Sequence, residues 1–306
     1  MPRFHRIAVL SLVATFALVS IGGLVRATKS GLGCGDNWPD CPGNVDQALI
    51  IEMSHRGAAA VVVVLLAVLA VLAWRRRRES PGLVTPSVIA FGLVLFQAVL
   101  GAVVVWLELR AESVVLHLGT AMALLVLLVY ITAASSISAA NLDPTTDERI
   151  ARRGRLVAAA VLLLLLAGSY VTGRDAGYVF GDWPLMNGRL VPDLSVEPYA
   201  IHFFHRALAG VVGIAVFSFC VGIMRRKREL PLQARLAHVA AGAFAVEVLV
   251  GAANVWTRLN PAVVTLHLAL GALVLASVAG IAIVSKPGFA AAAARSRSLR
   301  MEPASA

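Results

Sequence analysis

The sequence predicts an all-α membrane protein of eight transmembrane helices, arranged as two four-helix bundles of the same orientation related by pseudo-twofold symmetry, with both termini cytoplasmic. Three observations predict it. The apolar composition is divided into membrane-length runs, basic residues are confined to alternate connections, and the second half of the chain repeats the first at a fixed offset.

Of the 306 residues, 59% are hydrophobic and 14% charged, with a mean hydropathy of +0.82. A soluble domain carries about 25% charged residues. The apolar runs cover residues 7–25, 49–74, 83–106, 113–137, 156–173, 199–224, 236–256 and 261–284. Each is near or above the ~20 residues that cross a bilayer as a helix. The first is too long for a signal-peptide core and lacks a small-residue cleavage site, so it is expected to remain as a helix of the mature protein.

The net charge of +10 does not point to nucleic acid, because of where the charges fall. They cluster at Arg75–Arg78, Arg149–Arg155, Arg225–Arg228 and Arg295, Arg297 and Arg300, with Arg3 and Arg6 at the start. Those are every second connection plus both termini, the positive-inside pattern for an even number of spans in a bacterial plasma membrane. The remaining connections are then external: 26–48 and 174–198 are long, 107–112 and 257–260 short. Trp38, Trp106, Trp183 and Trp256 fall in or beside them, where interfacial aromatics belong.

The long-short-long-short order of outer loops reflects an internal repeat. Glu52, His55 and Arg56 recur 150 residues later as His202, His205 and Arg206. At the same offset Gln97, Gly101, Trp106 and His117 recur as Glu247, Gly251, Trp256 and His267. In the preceding loops Asn37-Trp38-Pro39 aligns with Asp182-Trp183-Pro184, and Gly43 with Gly188. Each copy has an even number of spans, so both share one orientation about an axis along the membrane normal. Residues 1–140 and 156–284 then form the two bundles, 141–155 a cytoplasmic linker and 285–306 a cytoplasmic tail.

His55, His117, His205 and His267 each lie about six residues inside the outer end of a helix, a depth of about 9 Å at 1.5 Å per residue. One imidazole in a span is most simply a helix-to-helix hydrogen bond. Four at one depth, in two matching pairs, suit axial ligation of two haem irons. Zinc or copper needs closer and usually more numerous ligands. Gly101, Gly119, Gly251 and Ala269 either leave room for a macrocycle or serve close helix packing. Arg56 and Arg206 either pair with haem propionates or snorkel to headgroups. Glu52 stands one turn before His55 on the same face, and its counterpart His202 is no carboxylate, so chemistry is expected at the first site. Glu247 is expected to make an interhelical hydrogen bond, His5 and His238 to be solvated, and Cys220 to be inert packing.

Cys34 and Cys41 flank six residues of the first outer loop, in an oxidising compartment, and are expected to form a disulfide. It is either a structural staple or a redox-active pair.

Together these residues resemble the haem A synthase family. Gly22-Gly23-Leu24-Val25-Arg26-Ala27-Thr28, Ser30-Gly31-Leu32, Cys34, Trp38-Pro39 and Cys41 are similar to that family's outer-loop signature, and Glu52, His55 and Arg56 to its catalytic helix. The similarity covers nearly all of 7–284. Lys29 stands where the family often has Gly, and the stretch from Cys34 to Trp38 is one residue longer. The resemblance implies oxidation of the C8 methyl group of haem O to a formyl group, giving haem A for cytochrome oxidase. It implies that His55 and His117 hold the substrate haem, that Glu52 takes part in its oxidation, and that His205 and His267 ligate a haem b cofactor. It further implies that the Cys34–Cys41 disulfide matters for activity. Molecular oxygen or water, an electron-transfer partner and the enzyme that makes haem O are implied partners. Two rival readings are a di-haem b-type electron-transfer cytochrome and a haem transporter. The carboxylate beside one site argues against the first, and the scarcity of midplane helix breaks against the second.

Overall fold

A computed structural model describes residues 2–41, 45–136 and 146–289. Gly43, Arg295, Arg297, Arg300, the first five residues of the expected linker and most of the expected tail lie outside the described residues. Eight helices are long and apolar enough to cross a membrane. They are α1 (Pro2–Ala27), α2 (Gln47–Arg75), α3 (Val84–Trp106), α4 (Ala111–Ser135), α5 (Glu148–Gly173), α6 (Glu197–Met224), α7 (Pro231–Trp256) and α8 (Pro261–Val284). Among the described residues there is no strand; an isolated bridge pairs Met186 with Arg189 in the second outer loop.

α5 begins eight residues before its apolar run. Asp147 caps it, accepting from the backbone N–H groups of Arg149 (2.9 Å) and Ile150. The basic cluster expected in the linker therefore forms the first turns of this helix. Asp46 caps α2 through the N–H of Leu49 and Asn260 caps α8 through that of Ala262.

α1–α4 close into a ring through α1·α2, α2·α3, α3·α4 and α1·α4 contacts, and α5–α8 close through α5·α6, α6·α7, α7·α8 and α5·α8. The rings meet through α1·α8, α4·α5 and α4·α8. Exchanging α1 with α5 and α4 with α8 returns that same set. Small residues set the approach there. A Cβ on Gly23 would lie 2.9 Å from Leu268, and one on Gly173 2.6 Å from Ala111. α8, packed against α1, α4, α5 and α7, is the most buried span. Val61, Val64 and Val71 on α2, and Val211 and Ile214 on α6, stay exposed, as apolar faces do toward lipid.

One end of the molecule gathers the basic segments. There His5 Nδ1 lies 3.1 Å from Ser135 Oγ, Arg226 pairs with Asp147, and the N–H of Asp147 donates to Ser285 O. His5 is thus bonded to a side chain rather than simply solvated; His238 is exposed, with Nδ1 2.7 Å from its own helix at Ala234 O. Cys220 is a buried free thiol in the core.

At the opposite end the turns of the two halves match. Glu108-Leu109 and Arg258-Leu259 have left-handed φ of 51°, 60°, 52° and 62°, and Lys29 and Asp175, 54° and 52°. Left-handed non-glycine residues are uncommon. Lys29 thus accepts a backbone conformation that glycine adopts without steric cost.

Candidate functional site

The outer end of each bundle carries two of the four repeated histidines. His55 lies within electrostatic reach of His117, and His205 of His267. The Nδ1 atoms of His55, His117 and His205 are buried without a hydrogen-bond partner. Beside each ring stands a glycine of the preceding helix. A Cβ on Gly22 would lie 3.1 Å from His55 Cε1, on Gly101 3.6 Å from His117 Cε1, on Gly168 3.1 Å from His205 Cε1 and on Gly251 3.2 Å from His267 Cε1. Gly119, grouped with the site by the sequence, instead meets Leu166 across the α4–α5 seam. The sequence marks Gly22 only within the outer-loop signature and does not single out Gly168. The outer-loop insertion makes their offset 146 rather than 150, and that shift is the signal by which they could have been found.

The carboxylate of Glu52 is buried, 3% exposed. Its Oε2 accepts from the N–H of Cys34 (2.9 Å) and its Oε1 from Arg56 (2.6 Å). Arg56 also donates to Asn37 O and Pro39 O, both at 3.1 Å. Cys34 and Cys41 are disulfide-bonded, with Cα atoms 4.7 Å apart. Trp38 packs edge-on against Trp106 at 6.3 Å. The carboxylate, the guanidinium and the disulfide loop thus form one hydrogen-bonded cap, buried at Glu52 and Cys34 and exposed from Gly35 to Asp40.

The second half builds the same cap from other chemistry. His202 takes the place of Glu52, with Nδ1 2.7 Å from Ala176 O and Nε2 accepting from Arg206 Nε at 2.9 Å. Both ring nitrogens are engaged, so His202 has no lone pair left for a metal. Arg206 also donates to Leu185 O (3.0 Å) and Asp182 O. Asp182 does for this loop what the disulfide does for the first: its carboxylate accepts from the N–H groups of Asn187 and Gly188, each at 2.7 Å. Those N–H groups, Gly188 first, hold the Asp182 carboxyl below its usual range. Trp183 packs edge-on against Trp256 at 6.1 Å.

The partners of α3 and α7 also differ. Gln97 Nε2 donates to Thr120 Oγ1 (2.7 Å) and to the backbone O of His117 (3.0 Å). Glu247 Oε1 instead lies 3.0 Å from His267 Nδ1, within ion-pair distance though poorly aligned for a hydrogen bond, and its Oε2 is buried without a partner. A largely apolar groove of about 350 Å³ opens between α4 and α5, lined among others by Val115, Leu116, Gly119, Leu166 and Tyr170.

These features fit haem. The donors are paired imidazoles, and among the described residues no three of His, Cys, Asp or Glu converge as a compact metal site would need. Glycines against the rings let four imidazoles sit between helices, in two matching pairs, as axial ligation of two haems requires.

A family model described as cytochrome oxidase assembly protein matches residues 5–48 and 44–279. The chain is 30% identical to a protein named heme A synthase from Halalkalibacterium halodurans over 212 residues, 67% of this chain and 71% of that protein. The chain belongs to the haem A synthase family. Another member, the heme A synthase of Shouchella clausii, is 29% identical over 245 residues, 76% of this chain and 81% of its own length. That of Caulobacter vibrioides is 37% identical over 183 residues, 55% and 51%. With its eight apolar helices, this family member is a multi-pass protein of the bacterial cell membrane.

Proposed function

We propose that the protein is a haem A synthase, oxidising the C8 methyl group of haem O to a formyl group to give haem A for cytochrome oxidase. Membership of the family supports the reaction. The observation that carries the assignment within the molecule is the difference between two otherwise matching sites. A buried carboxylate, Glu52, stands one turn before His55, where the second site has His202 with both nitrogens engaged.

In this reading His55 and His117 hold haem O in the bundle 1–140, and Glu52 takes part in its oxidation. His205 and His267 hold a haem b in the bundle 156–284. Haem b supplies one-electron transfer when bound. Arg56 and Arg206, beside the ligand histidines, have guanidinium donors to spare for propionates in addition to the loop carbonyls they bond. Arg56 and the N–H of Cys34 together keep the carboxylate oriented. Oxygen or water, an electron-transfer partner and the haem O-forming enzyme complete the reaction's requirements. Both termini and the basic connections face the cytoplasm, and the bundles are related by a pseudo-twofold axis; the helix contacts that return themselves on exchange support this.

The test is expression in cells that make haem O but lack their own haem A synthase, followed by chromatography and mass analysis of the extracted haems. Haem A or its hydroxylated precursor is expected from the wild type and is lost in Glu52→Ala. Only unmodified haem b at two equivalents, indifferent to Glu52→Ala, would sink the synthase and leave a di-haem cytochrome.

A further inference from the structure

Of the four proposed axial histidines, His267 alone has a carboxylate at Nδ1: Glu247 Oε1, 3.0 Å away. All four Nδ1 atoms are buried without an aligned hydrogen bond, and that of His267 differs in having a carboxylate oxygen at 3.0 Å. The two halves have diverged at this position in more than one residue. Gln97, the counterpart of Glu247, turns to the backbone of His117 and to Thr120 and leaves the His117 ring alone. One turn beyond His267 the second copy has Gly271, where the first has Ala121. A Cβ on Gly271 would lie 2.7 Å from Leu165 and 3.4 Å from Glu247 Oε1, so the glycine admits the Leu165 side chain beside the carboxylate. Glu247 is mostly buried, its other oxygen is unpartnered, and among the described residues no Lys or Arg pairs with it. The imidazole is thus the ionisable group its Oε1 meets.

We infer that Glu247 is a positioning residue for His267, holding its proton on Nδ1 and lowering the reduction potential of the second haem relative to the first. The inference rests on the proposed ligation by His267. A carboxylate accepting from Nδ1–H fixes the tautomer that leaves Nε2 free for iron, and it makes the ring a stronger donor. A stronger donor stabilises ferric over ferrous iron, which lowers the one-electron potential. Gln97 gives the His117 ring no such donation, so the repeat is expected to hold two haems of similar ligation at different potentials.

The test is an equilibrium redox titration of the purified full-length protein, followed by haem absorption, with the ferric electron paramagnetic resonance spectrum recorded alongside. His267→Ala, which should lose the second haem, identifies its wave. In Glu247→Gln that wave is expected to move to higher potential with haem content unchanged, while the other wave stays. Glu247→Asp, with a carboxylate restored, should return it toward the wild-type value. Two waves unmoved in Glu247→Gln, with both haems retained, would overturn the inference. If Glu247→Gln does not retain the second haem, Glu247→Asp decides: a longer contact should raise the potential partly and alter the ferric spectrum, and no change in either overturns it. Retention of both haems in His267→Ala would instead overturn the ligand assignment itself.

Discussion

At the scale of single residues, the four glycines beside the histidine rings grade the tolerance of the two sites. A helical Gly→Ala change ordinarily stabilises by about 0.4–1 kcal/mol when the new methyl group has space. At Gly101 the methyl would stand 3.6 Å from His117, an ordinary contact. Gly101→Ala is therefore expected to keep its haem and gain slightly in stability. At Gly22 and Gly168 the distance is 3.1 Å, and the ring must move. Gly22→Ala should lower haem content at the first site and Gly168→Ala at the second, measured as pyridine haemochrome per protein. Equal retention in all three variants would mean that the rings are not held where the glycines place them. The cap makes a second demand. Closing so short a loop, the Cys34–Cys41 disulfide contributes about 2–3 kcal/mol by loop entropy, and it fixes the N–H that binds Glu52. The double change to serine is expected to reduce haem A formation while both haems remain bound.

At the scale of elements, the two outer loops reach one geometry by different means. The first uses a covalent bond, the second the Asp182 carboxylate on two backbone N–H groups. Because that carboxyl is held below its ordinary value of 3.8, its contribution is present at neutral pH and is lost as the pH falls below 3.8 toward the lowered folded value. Protection of the Asn187 and Gly188 amides against hydrogen exchange, taken relative to the intrinsic rate at each pH, should therefore fall on acidification below pH 3.8, and Asp182→Asn should lower it at neutral pH. The first loop, tied covalently, should respond little. At the other end of the bundle, Asp147→Ala removes the cap of α5 and the pair with Arg226, an expected cost of about 1 kcal/mol in thermal unfolding.

At the scale of the molecule, the seam between the bundles is the vulnerable surface. Gly173 approaches Ala111 so closely that a Cβ would stand 2.6 Å from the alanine Cβ and 2.9 Å from its Cα, with backbone behind it. Gly173→Val is expected to destabilise by about 1–3 kcal/mol through overpacking. Gly57→Ala, with open space around the new methyl group, should not destabilise. Thermal unfolding in detergent compares the two directly. A seam that tolerated valine would mean that the halves are not joined at Gly173.

The sequence by itself determined the eight spans, their even distribution between two halves, and the four repeated histidines, because each depends on composition or on a period that survives divergence. Bilayer thickness sets the run length, and lipid leaves no alternative to helix. It also marked Glu52 as the asymmetric carboxylate, since a one-turn spacing from His55 holds on any straight helix. Tertiary structure alone decided what these groups touch. That Arg56 and Arg206 fasten loop carbonyls, that His202 spends both nitrogens, and that Gly22 and Gly168 face the rings depend on contacts between segments whose spacing in the chain is interrupted by loops of different length. The start of α5 at Glu148 followed from the cap at Asp147 rather than from hydropathy. Likewise Gln97 and Glu247 occupy one repeat position, yet the first turns to Thr120 and the His117 backbone and the second to the His267 ring, because side-chain direction at a helix interface is set by the neighbour and not by the period.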